Sequence, residues 1–374
     1  MEAPSTETFK LLLAGDVMTG RGIDQALADP LPPRLYEPWV QDAREYVRLA
    51  EAANGPIPAP VDPDYPWGEA LAAIARLAPD RRIVNLETAI TGAQTPSPGK
   101  RIHYRTNPAH VGCLAAARID ACALANNHVL DWGVAGLAQT IEVLRAAGIA
   151  CAGAGGDARE ARAPAVLPLP GGSRLLLFAF AAPGCGVPDD WAAGPQQPGV
   201  ALLPRLDEAD AQAVCAEVAH ARRAGDCVLV SLHWGENWVG QVPAAHRRFA
   251  HRLIDLGAAD VVHGHSSHHP LPIEVHAGKL ILYGCGDLIN DYEGIGAHGA
   301  LRSDIGCLYV ATLSCTDACL QALEIVPLQL RRFRLSTPSA ESLHWLHDLL
   351  APGCTALGSR IEINPGGRWQ LAWS

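Results

Sequence analysis

The sequence predicts an α/β protein whose functional groups sit at the carboxyl ends of its strands. Three observations point that way. Short apolar runs alternate with helical segments along most of the chain. Several of those runs end directly in ligand-type side chains, as in Gly15-Asp16 and Asn85-Leu86-Glu87. The segment Val261 to Asp291 carries His263, His265, His268 and His269 on a turn between two apolar runs. A structural histidine is usually single and satisfied locally, whereas an open α/β sheet gathers ligand side chains at its strand ends. The four histidines together are hard to explain as packing and point to a metal or acid–base site.

Composition narrows the class. The chain has 374 residues, 49% hydrophobic and 18% charged, so it can bury a sizeable core. No internal repeat or clean linker divides it. One domain over residues 1–374 is expected, with an insertion near 24–67 and a C-terminal strand/helix extension near 314–374. A net charge of -10 disfavours nucleic acid as a partner, because that affinity rests on clustered Lys and Arg. Met1-Glu2-Ala3-Pro4 makes a poor signal peptide, and Phe9 to Ala14 is too short to span a membrane. A cytoplasmic protein without a membrane segment is expected. The 11 cysteines are an odd number, scattered and mostly within apolar segments, which fits reduced thiols. Cys315 and Cys319 lack a second pair for a structural zinc.

The elements follow in order. Phe9 to Ala14 is a strand ending at Asp16, which reads as a helix N-cap or as a metal ligand. Residues 24–67 are rich in Pro and acidic groups around a helical piece, Val40 to Ala53. That insertion forms a lid, a substrate wall or a surface decoration. Gly68 to Ala78 is helical, and the strand Arg82 to Leu86 delivers Glu87. Lys100 to Arg105 is a basic cluster, either a solvated face or a holder for a substrate carboxylate through Arg101, His103 and Arg105. Pro108 to Ala117 is a helix. The strand Ile119 to Ala125 ends in Asn126-Asn127-His128, where Asn127 is an amide ligand and His128 an imidazole. Asp131 orients that imidazole or caps the helix Val134 to Ala147. Ile149 to Ala152, Ala165 to Leu169 and Ser173 to Ala181 are strands. The helix Leu206 to Ala224 precedes the strand Asp226 to Leu232, which ends at His233. Pro243 to Leu256 is a helix that starts with Pro. Asp260 to Val262 and Leu280 to Tyr283 lead into His265 with His268 and into Asp287. Ile305 to Leu313 and Leu320 to Leu335 form a hairpin, and Glu341 to Leu350 is a helix.

Six strand ends thus deliver polar side chains: Asp16, Glu87, Asn127 with His128, His233, His265 with His268, and Asp287. The alternation of strands and helices brings such ends to one edge of a sheet. Mixed carboxylate, amide and imidazole donors suit a divalent ion such as Mn, Zn, Fe or Ca. Cys285 reads as packing beside Asp287.

The motifs GDVM, NLE, ANNHVLDWG, HWGEN, GHSSHH and YGCGD, in this order, resemble those of the CapA family, associated with poly-γ-glutamate capsule synthesis. The resemblance runs from about Phe9 to Leu313. It implies a calcineurin-like metallophosphoesterase fold: a four-layer sandwich of two mixed β-sheets flanked by helices, with the site at the strand ends. There are departures from the phosphoesterase motifs. Met18 stands where their first motif has His, Asn85-Leu86-Glu87 replaces Gly-Asp-x-x-Asp, and the acidic residue after Asn127-His128 is displaced to Asp131. The missing His implies one tightly held metal, or a metal with His acid–base groups.

Three functions are consistent with these residues. The first is metal-assisted hydrolysis or transfer at an amide, peptide (γ-glutamyl-type) or phosphate centre. Asp16, Glu87, Asn127, His233 and His265 hold the metal there, and His128, His268, Asp131 and Asp287 are the acid–base groups. The second is proton transfer at Cα, a peptide epimerase that needs bases on two faces of one carbon. The third is a non-catalytic member of the family.

Overall fold

Two mixed β-sheets pack face to face, and a period of two along their strands sorts the side chains between layers. A computed structural model describes residues 7–296 and 299–373. Residues 1–4, read above as a poor leader, lie outside the described residues.

The first sheet runs Ser359–Ile363, Trp369–Trp373, Leu320–Arg331, Ile305–Ser314, Thr8–Val17, Arg81–Leu86, Ala121–Ala123, Ala150–Ala152. Its half from Thr8–Val17 to Ala150–Ala152 is parallel, and its other half is antiparallel. The second sheet runs Ile273–His276, Lys279–Leu282, Val261–His265, Cys227–His233, Arg174–Ala181, Ala165–Pro168, with a parallel centre and antiparallel edges.

In the second sheet Leu175, Leu177, Cys227, Leu229 and Val261 share one apolar core with the first sheet. The alternate residues Leu176, Phe178, Val228, Val230 and Val262 face outward onto the helices Glu208–Ala221 and Ala244–Asp255. This alternation extends to polar positions. Ser231 and His233 continue the inward set of their strand, and His263 and His265 continue that of theirs. The inward face of the second sheet therefore turns imidazoles toward the first. Helices Ala70–Leu77 and Gly133–Ala146 bury Ile74, Leu77, Leu137 and Leu144 in the core shared with the first sheet. Two mixed sheets flanked by helices is the architecture the CapA-like motifs implied.

Several expectations are corrected. The first strand is longer, Thr8–Val17, and Asp16 lies inside it at a register shift. Pro108 to Ala117 is a 3-10 turn, Pro108–Val111, followed by the short helix Gly112–Ala116. The long second arm of the hairpin breaks into Leu320–Arg331 and Arg334–Ser336, because Arg332 and Phe333 both take φ of 56° in the tight turn between them. The helix after it extends over Ala340–Ala356.

Asp287 does not end a strand of the second sheet. The chain crosses between sheets at Tyr283 to Gly286, and Asp287 opens a new strand, Asp287–Ile289, beside Thr8–Val17. The polar strand ends therefore come from two sheet edges that meet, not from one edge. The crossing is tight: a Cβ on Gly15 would lie 1.8 Å from the Gly286 carbonyl oxygen. Only glycine admits that approach.

The insertion is bound down rather than loose. Its helix is Arg44–Asn54, with Tyr46 and Ala50 buried beneath it and Trp67 fully buried where the insertion ends. Among the described residues no helix is long and apolar enough to cross a membrane.

Candidate metal centre

The first sheet supplies oxygen donors. Asp16 and Asp287 are register partners on adjacent parallel strands. Glu87 follows the strand Arg81–Leu86. All three are buried. The amide of Asn85 ties two of them together, donating to Asp16 Oδ1 at 2.7 Å and to Glu87 Oε2 at 3.4 Å. Asn126 in turn donates to Asn85 Oδ1 at 3.1 Å and to the Leu86 carbonyl at 2.8 Å. Its own Oδ1 accepts from the His128 amide at 3.0 Å. Asn85 and Asn126 thus brace the carboxylates and the His128 turn.

The second sheet supplies nitrogen donors. His233 and His265 lie with Nδ1 atoms 2.7 Å apart, and His265 Nε2 is 2.8 Å from the Ser231 hydroxyl. Ligand atoms of Asp16, His233 and His265 lie within 4.8 Å of one another, as do those of Asp16, Glu87 and His268. The two groups share Asp16. Glu87 Oε1 is 3.8 Å from His128 Nε2 and 4.0 Å from His233 Nε2.

The four clustered histidines divide. His265 and His268 face the carboxylates. His263 is 2.9 Å from the Ala14 carbonyl and 3.0 Å from the Ser231 hydroxyl. His269 is 2.7 Å from the Val239 carbonyl and 3.1 Å from that of Pro270. Those two hold backbone, and they are the two of the four that were given no role at the site.

Two histidines each carry a carboxylate partner. His128 Nδ1 is 2.6 Å from Asp131 Oδ2, and His268 Nδ1 is 2.7 Å from Asp287 Oδ1. Their environments push them apart. Burial, with help from Lys100, lowers His128 to about 4 despite Asp131. Burial also opposes charge on His268, but Asp287 and then Asp16 outweigh it and raise it above the usual imidazole value. Burial, then Asp287, raises Asp16 to about 7, and burial, then Asp16, raises Glu87 well above the usual carboxyl range. Burial holds His233 and His265 neutral.

The donor set fits a divalent cation. Asp16 Oδ2, Glu87 Oε1 and Asn127 Oδ1 are buried oxygens with no hydrogen-bond partner. Buried oxygens without partners are costly, and close carboxylates repel; a cation answers both.

The basic cluster does not act as a unit. Lys100, absent from the expected site, is the residue that reaches it. Its ammonium donates to Asp131 Oδ1 at 2.5 Å and to the Asn127 carbonyl, and lies 3.5 Å from His128 Nδ1. Arg101 is exposed. His103 is buried, with Nε2 2.8 Å from the Ser97 carbonyl. Arg105 donates to the Ala93 carbonyl and lies 3.9 Å from the centre of the Trp132 ring. His103 and Arg105 therefore belong to a separate region under the insertion, next to Tyr36 and Trp132.

Sequence reasoning also missed the aromatic support. Tyr104 meets His128 edge-on at 4.5 Å, Tyr292 meets His268 at 6.0 Å, and their hydroxyls are 3.0 Å apart. Arg21 lies 4.4 Å from the Tyr104 ring and is bound to Asp291, to Glu37 at 2.8 Å and to the Tyr46 hydroxyl at 3.1 Å. That hub joins the site loop to the insertion. Its signal in the sequence is faint: one Arg three residues past Met18.

A family profile described as bacterial capsule synthesis protein PGA_cap matches residues 10–292. The chain belongs to this family. A Mycobacterium tuberculosis protein named "Probable polyglutamine synthesis accessory protein" is 44% identical over 364 residues, 97% of this chain and 96% of that one. The Bacillus subtilis "PGA biosynthesis protein CapA" is 30% identical over 193 residues, covering 51% of this chain and 48% of that one. The matched span of the PGA_cap profile contains every candidate metal ligand and both His–Asp pairs. A solved structure titled a novel phosphatase, from Mycoplasma pneumoniae, gives a TM-score of 0.47 at 11% identity over 91% of this chain and 97% of that one.

Proposed function

We propose that this PGA_cap protein is a metal-dependent enzyme of hydrolase type, acting at an amide or peptide centre of γ-glutamyl type or at a phosphate centre. The capsule and polyglutamine context comes from the names of its relatives. The observation that carries the reading is the pair of partnerless buried oxygens Asp16 Oδ2 and Glu87 Oε1, beside the His233 and His265 imidazoles. Asp16, Glu87, Asn127, His233 and His265 would hold the ion. A bound divalent ion supplies Lewis acidity for a carbonyl or phosphoryl oxygen or for water.

The chain's own groups handle protons. His128 is kept neutral by burial and oriented by Asp131, with Lys100 holding that carboxylate. It can accept a proton at Nε2. His268 is biased toward its protonated form by Asp287 and can donate one. Groups pushed apart in this way divide into base and acid. Trp238 stacks on His268 at 5.3 Å and shields it from water.

A second reading is favoured by the same two pairs. His128–Asp131 and His268–Asp287 supply the two bases that epimerisation at Cα needs. One experiment separates the readings. The protein is incubated with γ-glutamyl oligopeptides and with p-nitrophenyl phosphate, with Mn or Zn, and products are analysed by mass and by chirality. Cleaved or transferred product supports the first reading. Product of unchanged mass and inverted chirality replaces it with the second. No turnover with any metal, by a protein shown to bind metal, overturns both.

A further inference from the structure

Below the insertion lies a small crevice lined by Arg34, His103, Arg105 and Trp132 together with Arg21 and Asp24. The centre of a water molecule can range over about 20 Å3 of it. That suffices for one water-sized group, such as the oxygens of a carboxylate, and not for a whole amino acid.

The charges around it do not cancel. Arg21 is neutralised by Glu37 and Asp291. Asp24 is spent on the Asn107 and Leu31 amides and on His110. Arg105 is only 8% exposed, yet it makes no ion pair among the described residues. It has five N–H donors, and one hydrogen bond to protein, to the Ala93 carbonyl. Burying a guanidinium without a counter-charge is unfavourable. His103 is 4% exposed, and its Nδ1 has no partner. Arg34 stands exposed over Tyr36 with no ion pair among the described residues. A planar oxyanion matches the two Arg side chains: one guanidinium binds it through paired N–H groups, and the second completes the shell.

We infer that this crevice binds a single carboxylate between Arg105 and Arg34. A γ-linked glutamate chain leaves a free α-carboxylate on every residue, so such a chain can place one here. The pocket itself is independent of the chemistry proposed above. Its use as a substrate subsite rests on the γ-glutamyl reading.

The test is calorimetric titration of the wild type and of Asp16→Asn with sodium acetate, glutamate and a γ-glutamyl oligomer, and with sodium chloride at matched ionic strength. Binding of acetate and the oligomer to both proteins is expected. Survival in Asp16→Asn separates this pocket from the metal centre. Arg105→Gln weakens binding about tenfold or more, the loss expected when a charged partner is removed from a buried pair. Arg34→Ala, at an exposed position that leaves the core intact, weakens it about threefold. Arg101→Ala, outside the crevice, leaves it unchanged. Acetate that binds without the oligomer keeps the pocket and rejects the γ-glutamyl chain as its ligand. Binding of chloride alone, or carboxylate binding unchanged in both Arg105→Gln and Arg34→Ala, overturns the inference.

Discussion

The two sheets bring opposite chemistry to one place. The first contributes Asp16 and Glu87, which burial and repulsion between carboxylates push toward protonation. The second contributes His233 and His265, which burial keeps neutral. In the metal-free protein burial disfavours the charged form of both, with opposite consequences. A carboxyl raised above its usual value weakens the fold as pH rises; an imidazole lowered below its usual value weakens it as pH falls. A cation reverses the first effect and uses the second, because it needs ionised carboxylates and neutral imidazoles together.

The largest expected effect breaks both sides at once. Protein purified without a His tag or added metal should carry about one equivalent of divalent ion or more, and Asp16→Ala/His265→Ala should carry none by elemental analysis. Saturation at a hundred times Kd should stabilise the wild type by about 2.7 kcal/mol. Equal metal content in the two proteins would remove the basis of the comparison.

A smaller test separates the sides. Asp16 titrates near 7 in the metal-free fold, against an ordinary 3.8, so the folded state binds the extra proton between those values. Stability is therefore lost as pH rises through that window. Asp16→Asn should stabilise the metal-free protein at pH 8 by on the order of 2–4 kcal/mol, at about 1.4 kcal/mol per unit. The gain should vanish near pH 4 in urea unfolding. His265→Asn, on the other sheet, should show no such gain, since it loses the contacts to Ser231 and His233.

The acid limb has the opposite sign. His263 sits near 4 in the fold because it is buried, against 6.5 when unfolded. The unfolded state binds the proton in between, so stability present above 6.5 is lost toward 4. His263→Gln should flatten that limb by up to roughly 3 kcal/mol on the same scale. An unchanged limb would mean that other buried histidines set it. Smallest of all, Lys100→Met should move the titration of His128 upward, by NMR, because Lys100 helps to lower it.

Much of this was legible along the chain. Strand ends show themselves because apolar runs stop abruptly in polar residues, and Glu87, His233 and His265 are of that kind. Asn85 was legible too: two residues before Glu87, it shares a strand side with it. Lys100 and Arg105 were not separable, since six residues of basic sequence do not tell which cation faces Asp131 and which lies on Trp132. The same holds for His263 and His265, which both point inward from one strand. Only the depth of each along the strand decides whether it meets the Ala14 carbonyl or the carboxylates.

By itself the sequence determined the α/β class, the family, and the kinds of donor available. Hydrophobic period and residue type are local properties and suffice for the class and the donors; the family rests on the resemblance of the ordered motifs. The tertiary structure decided that two sheets rather than one meet at the centre, that Asp287 joins the first of them, and which histidines are left free to bind. Those outcomes depend on which backbone carbonyls and charges come to face each side chain. Such partners are set by the crossing of the chain at Tyr283 to Gly286 and by the closeness of Gly15 to it.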